Sequence, residues 1–215
     1  VAGSEEGDTS MEKAVKKTLD EIYTSIPDAF NITELYNRVE KQEPYISICL
    51  QECERMNILM AEIKRSLSEL DMGLAGELTI SETMDTLMMS IYKSEVPATW
   101  EKLAYASMRP LGPWWKDLLD RHKQLQDWSA ELALPNSVWL PGLFNPSSFL
   151  TAVAQTAARK NGWPLDQTVL TVEVTKKFEN EIDAPPRDGA YVHGLFLEGA
   201  RWDPKMNSLN EANLK

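Results

Sequence analysis

The stretch from Ile46 to Leu74 constrains this chain more than any other. Ile46, Cys49, Cys53, Met56, Met60, Ile63, Leu67, Leu70 and Leu74 follow one another at alternating spacings of three and four. A helix turns once in ~3.6 residues, so this spacing lines the side chains up along one stripe. The stripe is unbroken over about four heptads. At ~1.5 Å rise per residue it predicts one helix roughly 45 Å long. A free coiled coil and a helix laid across other helices both accommodate such a seam. Leu50, Ile58 and Leu59 widen the apolar surface beyond a two-stranded seam and favour the second arrangement. Gly73 and Gly76 mark the helix end.

Shorter helices are predicted on either side. Residues 11–26 carry Val15, Leu19, Ile22 and Ile26 at helical spacing, and Pro27 closes them. "NITELYNRV" follows. Asn31 and Thr33 form a glycosylation sequon, but Asn31 reads better as a helix N-cap to which Glu34 reaches back. In "SETMDTLMMSIY" Ser81 and Glu82 give a capping signal, and Met84, Leu87, Met88 and Ile91 form a stripe suited to a core.

Charge and tryptophan divide the chain. Formal net charge is −11, which argues against a nucleic-acid or anionic-membrane surface. Residues 1–99 hold 9 Lys+Arg against 19 Asp+Glu, and residues 100–215 hold 13 against 14. All 7 Trp lie between Trp100 and Trp202. A hydrophobic content of 43% is enough for a core, and no apolar run approaches the ~20 residues of a membrane span. The opening "VAGSEEGDTS" has the composition of neither a secretory signal nor a transit peptide. Cys49 and Cys53, four apart on the predicted helix, read as free core thiols of a reducing compartment; His122 and His193 are too distant in sequence to argue for a shared metal.

The Trp-rich half begins with helices. Pro97 sits near a helix start, and "PLGPWWKDLLDRHKQLQDWSAEL" is a helix with Trp114, Leu118, Arg121, Leu125 and Trp128 near one face. His122, between Arg121 and Lys123, is expected in solvent, with no partner that makes it a general base. "VWLPGLFNPSSFLTA" reads as a loop-to-helix corner. Asn145 is the N-cap, Pro146 the first helical residue, Phe149, Ala152, Val153 and Thr156 the buried face, and Gly162 the end. Trp139 and Trp163 are expected to anchor the two ends of this helix, with the corner as a packing hinge between helical and β parts. Ser147 and Ser148 fall in the first turn and lack the strand–turn context of a nucleophile elbow.

After Pro164 the period changes to two. "TVLTVEVTKK" alternates Val169, Thr171 and Glu173 against Leu170, Val172 and Val174, and "GAYVHGLFLEGARWD" is a second strand candidate. His193 in it reads as an interior or edge histidine. The predicted class is α+β: a helical part over residues 1–164 with one long helix, then a β part over 165–215. No phosphate-cradling glycine motif is present, so no nucleotide is assigned; no ligand set supports a metal, no constellation around Ser147 or His193 supports a hydrolase, and no catalytic residue or other cofactor is assigned.

Four motifs carry a resemblance. "VPATW", "PLGPWWKDLLDR", "WLPGLFNPSSFLTAVAQTAARKNGWPLD" and "PPRDGAYVHGLFLEGARWDP" occur in that order. Over about residues 96–204 they resemble the C-terminal domain of dynein heavy chains. "GLFNPSSFLTA", "ARKNGWPLD" and "EVTKK" look most like axonemal outer-arm chains of the beta type. The resemblance implies helices followed by a β-barrel, lying across one face of an AAA+ ring and bracing it. It also implies that ATP sites and the microtubule-binding stalk tip lie in other regions of the heavy chain, that the barrel continues past Lys215, and that this segment has no catalytic residue. The implied partners are the ring of the same heavy chain and other axonemal dynein subunits, with microtubules met only through regions absent here, and neither nucleic acid nor membrane. The implied location is the cytoskeleton of a cilium or flagellum. The competing reading is an independent helical adaptor that holds a partner helix on the Ile46–Leu74 seam.

Overall fold

The computed structural model describes residues 2–195, 199–203, 205–206 and 208–212. Its helices are α1 (Ala2–Ser25), α2 (Ile32–Arg38), α3 (Pro44–Leu74), α4 (Glu82–Tyr92), α5 (Ala98–Glu101), α6 (Leu111–Glu131) and α7 (Pro146–Asn161). Its strands are β1 (Val138–Trp139), β2 (Val192–His193), β3 (Ala200–Asp203) and β4 (Ser208–Glu211). Two units make up the fold. One comprises the residues through Glu40 together with Cys49–Ala130, the other Lys41–Ile48 with everything from Glu131 onward.

In the first unit α3 is the central element. Cys49, Cys53, Met56, Met60, Ile63, Leu67 and Leu70 are all at most 4% exposed, so this part of the seam is covered by the protein's own residues. Ile46, in the second unit, is also buried, and Leu74 is half-buried. The predicted widening of the stripe holds for Leu50 and Leu59 but not for Ile58, which is 56% exposed. α1 contributes Val15, Leu19 and Ile22 to the core, and Lys16 bridges from α1 to Asp71 of α3. α4 buries Met84, Leu87, Met88 and Ile91, and its N-cap Ser81 accepts from the Met84 amide. α2 is capped as expected: Asn31 accepts from the Glu34 amide, while Glu34 reaches back to the Asn31 side chain rather than to its backbone.

Trp100, Trp114 and Tyr105 form an aromatic wall. Trp100 stacks on Trp114 at 6.1 Å between ring centroids, and Trp114 on Tyr105 at 5.9 Å. Trp100 donates its indole N–H to Ser66 of α3, Tyr105 its hydroxyl to the Trp114 carbonyl, and Trp115 its indole N–H to Ser25 at the end of α1. Each of these rings thus brings a polar handle that finds an acceptor.

In the second unit Asn145 caps α7, accepting from the Ser148 amide, and Pro146 is its first residue. The helix ends at Gly162, whose φ of 67° is the left-handed geometry that glycine adopts without strain. Phe149, Ala152 and Val153 are buried, and Phe149 meets Tyr45 at 5.9 Å. The far end differs from expectation. Trp163 is 52% exposed, not the buried anchor expected there. Instead the α7 C-terminus is held by the 187–189 turn: Asn161 donates to Asp188 and Lys160 to the Arg187 carbonyl.

The β content departs most from the sequence. β1 pairs in parallel with β2, Val138 opposite Val192, and β3 pairs antiparallel with β4. Residues 168–177, read as a strand, form none. Val169 and Val172 are about four-fifths exposed. A period of two fixes which side chains share a face, but a strand exists only where a neighbour takes its hydrogen bonds. The second candidate is likewise not one strand: it splits into β2 and β3, residues 196–198 lying outside the described ones. Among the described residues these two-stranded ladders do not close into a barrel.

Candidate functional site

Cys49 and Cys53 are free and fully buried. A hydrogen bond to Cys49, and burial after it, push the Cys53 thiol far up, so it is no thiolate nucleophile. Among the described residues no group of three or more His, Cys, Asp or Glu is placed to hold a metal ion. Ser147 is exposed in the first turn of α7, and Ser148 beside it serves the cap through its amide.

The two histidines lie apart. His193 on β2 shares a hydrogen bond of 2.8 Å with Ser137, just before β1, as befits the edge histidine expected there. His122 overturns the expectation of solvent exposure: it is 6% exposed, stacked on Phe30 at 4.5 Å. Its Nε2–H donates to the Asp28 carbonyl at 3.1 Å. Lys123 points outward while His122, one residue earlier, points in, because adjacent helical positions differ by ~100°. Flanking charge in the sequence was therefore a poor guide to this side chain.

Arg121 is the buried charge of the aromatic wall. It pairs with Asp117 at 3.0 Å, and its guanidinium lies 3.4 Å from the centre of the Tyr105 ring. Arg109 approaches the same carboxylate at 3.6 Å. Burial is the main reason that the Tyr105 hydroxyl titrates well above its usual range. The pairing and the cation–π contact make this charge tolerable inside the protein.

The corner at 137–149 is the most closely fitted surface feature. Trp139 is half-buried, while Val138, Leu140, Leu143 and Phe149 are buried. The indole lies between two glycines. A Cβ on Gly142 would stand 2.6 Å from Trp139 Cδ2, and one on Gly194 would stand 2.7 Å from its Nε1. Gly194 also has φ 78°. A glycine inside a strand-like pattern is the sequence mark of such a close approach, and here it was the available signal. Nothing in the sequence pointed to Asn57 of α3, whose amide clasps Phe30 from both sides, accepting from its N–H at 2.9 Å and donating to its carbonyl at 2.8 Å.

Long helices with buried faces, an aromatic wall and a glycine-clamped corner define a helix-rich α+β fold. The particular family follows from comparison: the family model for the C-terminal domain of dynein heavy chains matches residues 1–215, and this protein belongs to that family. It is 52% identical over 204 residues to the ciliary dynein beta chain of Tripneustes gratilla, covering 95% of this sequence and 5% of that one. It is 51% identical over 215 residues to the flagellar outer-arm dynein beta chain of Chlamydomonas reinhardtii, covering 99% and 5%. Against dynein axonemal heavy chain 17 of Homo sapiens the identity is 50% over 206 residues, covering 96% and 5%. The sequence thus spans about 5% of the length of these relatives, which are ciliary, flagellar and axonemal heavy chains.

Proposed function

We propose that this protein is the non-catalytic C-terminal segment of an axonemal dynein heavy chain, and that it braces the AAA+ ring of an ATP-driven microtubule motor in cilia and flagella. The observation that carries the reading is the match over the whole sequence, at about half identity, to heavy chains of that class. Its partners are then the ring of the same heavy chain and other axonemal dynein subunits. Microtubules are met through other parts of the heavy chain. In the same reading residues 1–164 form the helical part and 165–215 open a β-barrel.

The rival adaptor reading needs the Ile46–Leu74 seam as a free surface. From Ile46 to Leu70 that seam is buried within the protein, so a partner helix would have to displace the core.

The test is reconstitution. A dynein motor ending before this segment is mixed with the purified segment. Saturable binding, with a change in gliding velocity and unchanged nucleotide affinity, is expected. Absence of binding at tens of micromolar overturns the reading.

A further inference from the structure

The linker between α1 and α2, residues 26–31, has an unusual fastening. Pro27 stops α1, and α2 starts at Ile32. Between them the backbone is fastened by side chains from two other helices. Asn57 of α3 bonds both backbone groups of Phe30. His122 of α6 covers the Phe30 ring with its own and donates Nε2–H to the Asp28 carbonyl. Two turns earlier on α6, Trp115 binds Ser25 where α1 ends. The linker is therefore held from α3 by Asn57 and from α6 by His122.

We propose that this linker is a proton-sensitive latch: protonation of His122 weakens its hold on Asp28–Phe30 and releases the α1–α2 connection. A carbonyl can only accept, and both the neutral ring in its Nε2–H tautomer and the protonated ring can donate to it, so the hydrogen bond survives protonation and the cost falls on burying the charge. Adding a proton places a full charge in a site that is nine-tenths buried. The charged groups nearby do not compensate. Burial lowers the His122 pKa, outweighing the Asp28 carbonyl hydrogen bond and the weaker pull of the exposed Asp28 carboxylate, both of which favour the charged ring. On α6 itself Arg121 pairs with Asp117, and Lys123 pairs with Asp127 in solvent. α3 meets the linker with Asn57 and α1 ends in Ser25, neither of which titrates.

The sign follows. The folded-state pKa of His122 lies below the ordinary 6.5. Above pH 6.5 the ring is neutral whether the latch is open or closed, and the hold is complete. As pH falls below that value the open form takes up the proton first, so closure weakens until the folded-state pKa is passed.

The experiment is amide hydrogen exchange on the whole protein between about pH 7.5 and 5.5, a window that brackets the histidine range. Rates are corrected for intrinsic exchange and set beside the proton NMR titration of the His122 ring. Opening at Phe30 should rise by up to about tenfold for each unit by which the ring's pKa is lowered. Its midpoint should follow the ring titration, while amides in the middle of α3 stay protected. His122→Gln keeps a neutral donor and should abolish the pH response. Asn57→Ala should loosen the linker at every pH and retain the response. A linker whose exchange is flat across this range overturns the proposal, as does an unchanged response in His122→Gln. Should that variant not fold, a parent linker midpoint that departs from the ring titration overturns it equally.

Discussion

At the residue scale, the Trp139 clamp separates two costs that glycine usually hides. Gly194 and Gly189 both have positive φ, 78° and 93°, but only at Gly194 would a Cβ meet anything within 4 Å. Gly189→Ala should therefore cost backbone strain alone, about 1–2 kcal/mol. Gly194→Ala adds the collision with the indole and should cost a further ~1–3 kcal/mol. Urea denaturation of the two variants measures the difference directly, and equal losses would mean that the indole simply moves aside. A second residue prediction concerns the buried pair. Asp117→Ala leaves the Arg121 guanidinium inside the aromatic wall with its closest carboxylate gone, and should cost ~3–5 kcal/mol by the same measurement.

At the element scale, α3 can be probed from its two faces. Ile63 is 0% exposed and Ile58, five residues earlier on the same helix, is 56% exposed. Ile63→Asp places a charge in the core and should cost several kcal/mol, ~3 or more. Ile58→Asp should stay within about 0.5 kcal/mol of the parent, since nothing is lost but a solvated side chain. Comparable melting shifts for the two would show that the seam is not the structural face. The corner helix α7 rests on Phe149, 0% exposed and in contact with Tyr45. Phe149→Ala should cost ~3–5 kcal/mol, read as a fall in melting temperature. The pairing of β1 with β2 should suffer with it, visible as faster exchange of the Val138 amide, which donates to the Tyr191 carbonyl.

At the scale of the whole molecule, the proposed role assigns no chemistry to this segment. Phosphate-cradling glycine motifs are missing from the sequence, Ser66 accepts from Trp100, and Arg121 pairs with Asp117. Calorimetric titration with ATP at micromolar protein should show no saturable heat. A saturable signal would place nucleotide chemistry in the segment itself.

Local rules were enough to read the helices from the sequence. The α3 seam, the Ser81 and Asn145 caps, the Met84–Ile91 stripe and the corner at Pro146 depend on contacts within a few turns, and each is found where the periodicity puts it. The four motifs that resemble the dynein family were legible for a different reason: they are continuous strings, which need no fold to be recognised. What lay beyond local rules was anything requiring a second element. Residues 168–177 have a strand's alternation and no strand, because pairing depends on a neighbour that alternation does not supply. Trp163 is half-exposed, and the side-chain contact at that end of α7 is made by Asp188 instead. His122 is buried because Phe30, far away along the sequence, arrives beneath it. The sequence by itself determined where the helices run and which stripe of each is apolar, since periodicity acts within one element. The tertiary structure alone decided which polar and aromatic side chains meet, because burial of a single ring depends on what another segment brings to it.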